Sequence, residues 1–63
     1  MKISKLVQLL NEQKERYGDI NIALSSDEEG NSFHNVSTWF GGAPDNKKPK
    51  YLVIYPEHEM LDI

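Results

Sequence analysis

The side chains best suited to bind a metal ion lie near the C-terminus, in the segment Glu57-His58-Glu59, with His34 as a fourth candidate ligand. Alternate residues of an extended segment point to the same side, so the two glutamates share one side and His58 points to the other. The chain has no cysteine, and no spacing typical of a tetrahedral zinc site is present. We therefore interpret the histidines as surface residues and expect neither a metal ion nor a cofactor.

The acidic segment 25–31 matches a calcium-binding EF-hand loop only in part. With Ser25 at loop position 1, acidic residues fall at positions 3 and 5, and Gly30 falls at position 6. Position 12 is Val36, where the calcium loop needs a bidentate glutamate, and no second helix is predicted after it. The segment is better interpreted as a polar hairpin turn in which Gly30 or Asn31 adopts a positive φ.

No arrangement of residues predicts catalysis. None of the serines has a readable partner base and orienting group, and Gly41-Gly42 leads into Pro44 rather than into the Lys-Ser/Thr pair of a phosphate-binding loop. A domain of this size also has little volume for a sheltered pocket. We expect a protein that is not an enzyme.

Aromatic side chains beside a lysine-rich loop favour a different chemistry. Bases of single-stranded nucleic acids stack on aromatic rings, and lysines hold the phosphates. The residues concerned are Trp39, Phe40, Tyr51 and Tyr55 on predicted strands, and Lys47, Lys48 and Lys50 in the loop. The acidic segments oppose this interpretation, because they repel phosphates. A module for a small ligand, a nucleotide or a single strand is thus an alternative function, and nucleic acid is not the expected partner.

The first element is an amphipathic helix predicted over residues 5–17. Its apolar residues recur at helical spacing, with Ser4 as the predicted N-cap and Gly18 after the last turn. The apolar stripe consists of Ile3, Leu6, Val7, Leu10 and Tyr17. Leu9 lies about 100° around the helix from Leu10, at the edge of the stripe, so it either contacts the sheet or forms part of an interface.

Three strands are predicted to follow, over residues 20–25, 33–40 and 51–55. Hydrophobic alternation in the second strand is imperfect, which indicates either two partly covered faces or a β-bulge. A loop over residues 41–50 is predicted to be mobile from its glycine, proline and lysine content. Pro56 is predicted to end the third strand.

The third strand and the tail are more apolar than one small domain requires. The strand Tyr51-Leu52-Val53-Ile54-Tyr55 is apolar on both faces, which predicts burial on both sides. The tail 57–63 ends in apolar residues and should dock on its own sheet or on another subunit. The candidate interface residues are Leu9, Trp39, Tyr51, Val53, Tyr55, Met60, Leu61 and Ile63.

Composition limits the class of protein. The 63 residues carry a net charge of −3, without the basic surface expected of a duplex-binding protein. A chain this short is marginally stable alone. Without cysteine it cannot be stabilised by disulfide bonds, so oligomerisation is the first source of additional stability to consider. No signal peptide or membrane-spanning run is predicted, so we expect a cytoplasmic protein with no membrane partner.

The segment Met1–Leu10, the Tyr17-Gly18-Asp19 helix end, the acidic turn 27–31 and the closing segment Val53–Pro56 together resemble small uncharacterised proteins of tailed bacteriophages and prophages. The resemblance covers most of the chain, but its motifs are structural and transfer no functional residue. It implies an accessory protein of the phage, found in the host cytoplasm. Such proteins often bind and disable a host or defence factor, sometimes as homodimers; short inhibitors of antiviral systems such as Hachiman are of this kind.

We therefore predict one small α+β domain in which an N-terminal amphipathic helix packs on a three-stranded antiparallel sheet, in the order α-β-β-β. Its expected function is protein–protein interaction, as a homodimer that binds and inhibits a host or antiviral-defence protein.

Overall fold

The computed structural model describes all residues from Met1 to Ile63. One helix is followed by a three-stranded antiparallel sheet, which confirms the predicted α-β-β-β order. The elements are α1 (Ile3–Tyr17), β1 (Ala23–Ser25), β2 (Phe33–Ala43) and β3 (Tyr51–Met60). The strands lie in the order β1-β2-β3, so β2 is central and β1 and β3 are the two edges.

The helix begins two residues earlier than predicted, and the assignment of Ser4 as the N-cap is wrong. Lys2 occupies the N-cap position, and no side chain caps the helix. The backbone carbonyl of Lys2 accepts hydrogen bonds from the N–H groups of Lys5 at 3.0 Å and Leu6 at 3.2 Å. These bonds close the first turn, so Ser4 is already inside the helix.

The helix ends as predicted at Gly18. Its φ is 86°, a value that glycine adopts without steric cost, and its N–H donates to the Lys14 carbonyl at 2.8 Å. The basic residues Lys14 and Arg16 lie in the last turn, where they complement the negative end of the helix dipole.

The turn after β1 is organised by the carboxylate of Asp27. Its Oδ1 accepts hydrogen bonds from the backbone N–H groups of Glu29 and Asn31, each at 3.1 Å, and its Oδ2 accepts one from Asn31 Nδ2 at 2.6 Å. These bonds, the Asn31 side chain first, lower the pKa of Asp27. Gly30 takes the predicted positive φ, at 71°. The Asp27 carboxylate therefore stabilises the turn through its hydrogen bonds.

Strand β1 is shorter than the predicted strand over residues 20–25. It pairs with β2 only from Ala23, opposite Asn35, to Ser25, opposite Phe33. The β2 register becomes irregular immediately after this segment, beginning at Val36. Val36 is the residue that would lie opposite Ile22 if the β1–β2 pairing continued.

The β2–β3 ladder has a regular half and an irregular half. Residues Phe40–Ala43 pair in register with Tyr51–Ile54. Beyond them, residues 37–39 of β2 lie opposite Tyr55 alone, and residues 57–59 of β3 lie opposite a single β2 residue. The imperfect alternation of the second strand is therefore caused by a bulge, one of the two alternatives that the sequence left open.

Pro56 does not end the third strand, contrary to the prediction. Strand β3 continues to Met60, and the next N–H, of Leu61, donates to the Phe33 carbonyl at 2.7 Å. Proline is tolerated here because β3 is an edge strand and the register is irregular at this point. Most of the predicted tail 57–63 therefore extends β3 and docks on its own sheet.

The loop between β2 and β3 is also shorter than predicted, because β2 extends through the two glycines to Ala43. The connection covers residues 44–50. Asp45 Oδ1 accepts hydrogen bonds from the backbone N–H groups of Lys48 at 2.9 Å and Lys47 at 2.8 Å. Both bonds favour the ionised carboxylate and lower the pKa of Asp45.

Candidate interaction surface

The interior of the chain contains no buried apolar residue. Ser37 is the single buried residue, at 8% exposure. The two helix side chains best protected from solvent are Leu6 and Leu9, which are half-buried, whereas the rest of the predicted stripe is exposed. Leu9 is thus partly covered within the chain.

The predicted burial of the third strand on both faces does not occur in the single chain. Val53 and Tyr55 are half-buried, and Tyr51, Leu52 and Ile54 are exposed. The reason is geometrical: the helix leaves an open space beside the strand, and the tail continues the strand instead of covering it.

That open space is an apolar cleft of about 760 Å³ between the N-terminal half of α1 and the start of β3. Two lysines, Lys2 and Lys50, lie at its margin. The apolar residues that line it are Met1, Ile3, Leu6, Tyr51, Leu52 and Ile54. Exposed apolar surface of this extent on a small domain is typical of an interface.

The aromatic face is defined by Trp39, Val53 and Tyr55, whereas Tyr51, at the start of β3, lines the apolar cleft. Residues 53 and 55 of β3 lie on one side of the sheet, and Trp39 stacks on Tyr55 with 4.6 Å between ring centroids and 29° between planes. Gly41 leaves room for the Tyr55 ring, since a Cβ there would lie 2.6 Å from its Oη. Trp39 is still 63% exposed, so this face remains open.

His34 has a role that the sequence did not reveal. Its Nδ1 lies 2.9 Å from the carbonyl oxygen of Glu57 and 3.1 Å from that of Glu59. Carbonyl oxygens only accept hydrogen bonds, so Nδ1 carries the proton and donates. The imidazole thereby donates to backbone carbonyls of the irregular β3 segment 57–59. A histidine that faces a bulge on the neighbouring strand is recognisable only once the strand register is known.

The remaining predicted interface residues lie at the end of β3 and in the three residues that follow it. Met60 is 68% exposed and Ile63 is 82% exposed, whereas Leu61 is half-buried. These three residues are distant along β3 from the apolar cleft, so the structure does not gather all predicted interface residues into one patch. Leu9 is also separate from the aromatic face, because it lies on α1 and the residues of that face lie on β2 and β3.

No group of three histidine, aspartate or glutamate side chains is positioned to share a metal ion. The single helix, α1, lacks the length and apolarity needed to cross a membrane. Comparison of the chain with protein-family models, with curated proteins and with solved structures gave no match.

Proposed function

We propose that the chain is a non-enzymatic interaction protein that functions as a homodimer and binds a host or antiviral-defence protein, in the manner of phage accessory proteins. The supporting observation is its surface. A compact monomer of 7.3 kDa exposes about 4200 Å², whereas this chain exposes 5965 Å². The difference, about 1800 Å², exceeds the roughly 800 Å² that each partner buries in a standard interface.

The dimensions of the chain support the same proposal. The radius of gyration is 13.3 Å, whereas a compact domain of this length has a radius of about 10.6 Å. Fourteen large apolar side chains are exposed in the single chain. A short domain without a buried apolar core needs a partner whenever it is folded, and a second copy is the partner that is always present.

Sedimentation equilibrium of the purified chain tests the homodimer. We expect a mass twice that of the chain at micromolar concentration, and a melting temperature that rises with protein concentration. A monomer throughout the micromolar range would refute the homodimer.

Co-expression tests the interaction with a defence protein. Bacteria that carry an antiviral system such as Hachiman would be infected with a phage that the system restricts, with and without this chain. We expect plaque formation to be restored against the sensitive system and the chain to co-purify with one of its proteins. Unchanged restriction by every system tested would count against this part of the proposal.

The alternative function, binding of a nucleotide or a single-stranded nucleic acid, is favoured by one observation. Trp39 is 63% exposed although it stacks on Tyr55, and an exposed aromatic ring is what a base-stacking platform requires. Trp39 is the only tryptophan, so quenching of its fluorescence by an oligonucleotide at low salt, reversed by added salt, would support this function. No quenching at high oligonucleotide concentration would exclude it.

A further inference from the structure

We infer that the free edge of β3 at residues 51–55, here called the pairing segment, pairs antiparallel with the same segment of a second copy. The inference rests on the homodimer proposed above and identifies its interface. Two three-stranded sheets would thereby join into one sheet of six strands about a twofold axis.

The outer edge of β3 has no backbone partner within the chain. Strand β3 is ten residues long and pairs with β2 on one side only. The chain makes 27 backbone–backbone hydrogen bonds, whereas about 42 are expected for its length. A long unpaired edge readily accepts another strand. The opposite edge of the sheet, β1, has only three residues, so fewer of its backbone groups are available for pairing with another strand.

The two halves of β3 differ in their suitability for pairing. The second half contains Pro56, the irregular residues 57–59 and the charges of Glu57 and Glu59. Proline, bulges and charges are the features that prevent edge strands from associating. The pairing segment contains no proline, no extra residue and no charge: its pairing with β2 is regular from Tyr51 to Ile54, and its side chains are all aromatic or aliphatic. Pairing with another chain is therefore favoured in the first half alone.

The charges that flank the pairing segment determine its orientation. The loop before it carries Lys47, Lys48 and Lys50, and Glu57 and Glu59 follow it. Antiparallel pairing places the lysines of each copy beside the glutamates of the other, twice per dimer. Parallel pairing would place like charges together, which is unfavourable. A strand that is basic at one end and acidic at the other complements a second copy of itself.

The middle of the pairing segment is Val53, and we place the twofold axis there. Leu52 of one copy then lies opposite Ile54 of the other, on the face that lines the apolar cleft. The two clefts meet across the axis, so that four aliphatic side chains gather beneath the two helices. This arrangement supplies the apolar core that the single chain lacks.

Cysteine cross-linking tests the position of the axis, since the chain has no natural cysteine. Val53→Cys places two thiols opposite each other at a Cβ separation of about 4.5–5.5 Å, and mild oxidation should convert most of the protein into a covalent dimer. Thr38→Cys is the matched control: Thr38 is exposed but lies on the central strand β2, so it should cross-link at least about tenfold less.

Charge exchange tests the orientation. Lys48→Glu with Lys50→Glu makes both ends of the pairing segment acidic, and Glu57→Lys with Glu59→Lys makes both ends basic. Each variant alone should raise the dimer dissociation constant about tenfold at low salt. In a parallel dimer like charges already meet, so there each variant alone would leave the dissociation constant nearly unchanged. Mixed in equal amounts, the two variants should form heterodimers in preference to either homodimer, which tests whether the flanking charges meet across the interface.

These experiments separate this inference from the proposed homodimer. A monomeric wild-type chain would refute the homodimer. A dimeric wild type in which Val53→Cys cross-links no better than Thr38→Cys, or in which the two charge variants do not prefer each other, would overturn the pairing of β3 and leave the homodimer standing.

Discussion

Substitution of Gly41 by alanine should separate the aromatic pair on the open face of the sheet. A Cβ at this position would lie 2.6 Å from Tyr55 Oη and 2.9 Å from its Cε2, closer than non-bonded atoms approach. Gly41 is paired with Val53 in the regular part of the ladder, so its backbone is held in place and the tyrosine ring has to move. Because that ring is stacked on Trp39, its displacement breaks the stack.

The expected cost follows from three contributions. Loss of the aromatic pair removes about 0.5–1.5 kcal/mol, and crowding by an inserted methyl group costs about 1–3 kcal/mol where the neighbours yield only in part. Alanine also reduces the conformational entropy of the unfolded chain, which stabilises the folded state by about 0.4–1 kcal/mol. The net expectation is a destabilisation of about 2 kcal/mol, equivalent to a decrease in melting temperature of about 8–16 °C.

Thermal unfolding at one fixed protein concentration measures this effect, and the fluorescence of the sole tryptophan reports whether the stack is broken. The decisive control is the same exchange in a Tyr55→Val background, where no ring opposes the new methyl group. There, Gly41→Ala should be neutral or slightly stabilising. If it costs the same free energy of unfolding in both backgrounds, Tyr55 does not fill the space above Gly41 and the reasoning is refuted.

Three further predictions concern the turns, the bulge and the association. Hydrogen bonds depress the pKa values of Asp27 and Asp45 in the folded state. The stabilisation from these bonds is therefore fully present above about pH 4 and is lost as the pH falls through the lowered pKa values. A double aspartate-to-asparagine variant should flatten the acid side of the melting-temperature profile, and an unchanged slope would contradict this. His34→Ala should reduce stability by about 0.5–1.5 kcal/mol, because the hydrogen bonds from Nδ1 to the two carbonyl groups are lost. His58→Ala, the control, removes an exposed side chain and should change stability by less than about 0.5 kcal/mol. Equal effects of the two substitutions in chemical denaturation would argue against the role of His34. Dilution of the wild-type chain should lower its melting temperature, and a value independent of concentration would show that folding does not depend on association.

The sequence predicted well those features that depend on local chemistry. Gly18 and Gly30 end a helix and form a turn because glycine adopts positive φ at little cost. The order of the helix and strands followed from hydrophobic periodicity in the same way. In each case the determining interaction lies within a few residues of the position predicted.

Features that depend on strand register were predicted poorly. Strand β1 begins three residues later than predicted, and β3 continues through Pro56, both beside irregularities of the strand register that local patterns do not encode. The same holds for His34, whose carbonyl partners lie more than twenty residues away along the chain. The prediction of Ser4 as the N-cap was wrong for a different reason. A serine hydroxyl is a typical N-cap group, but the Lys2 carbonyl already accepts the first hydrogen bonds of the helix, which places Ser4 inside it.

The candidate interface could be foreseen in composition but not in geometry. The excess of apolar residues in β3 indicated that a second subunit or the tail covers the face that the helix does not. The tail instead continues β3, and the cleft beside the strand is open. Pairing through the edge of β3 would extend the sheet within its own plane, so it would cover the cleft without covering the aromatic face. Trp39 and Tyr55 of both copies would then lie on one continuous, uncovered side of the six-stranded sheet. A homodimer of this form provides a broad aromatic surface for a further protein, whereas a dimer built through the aromatic face itself would leave the apolar cleft open to water.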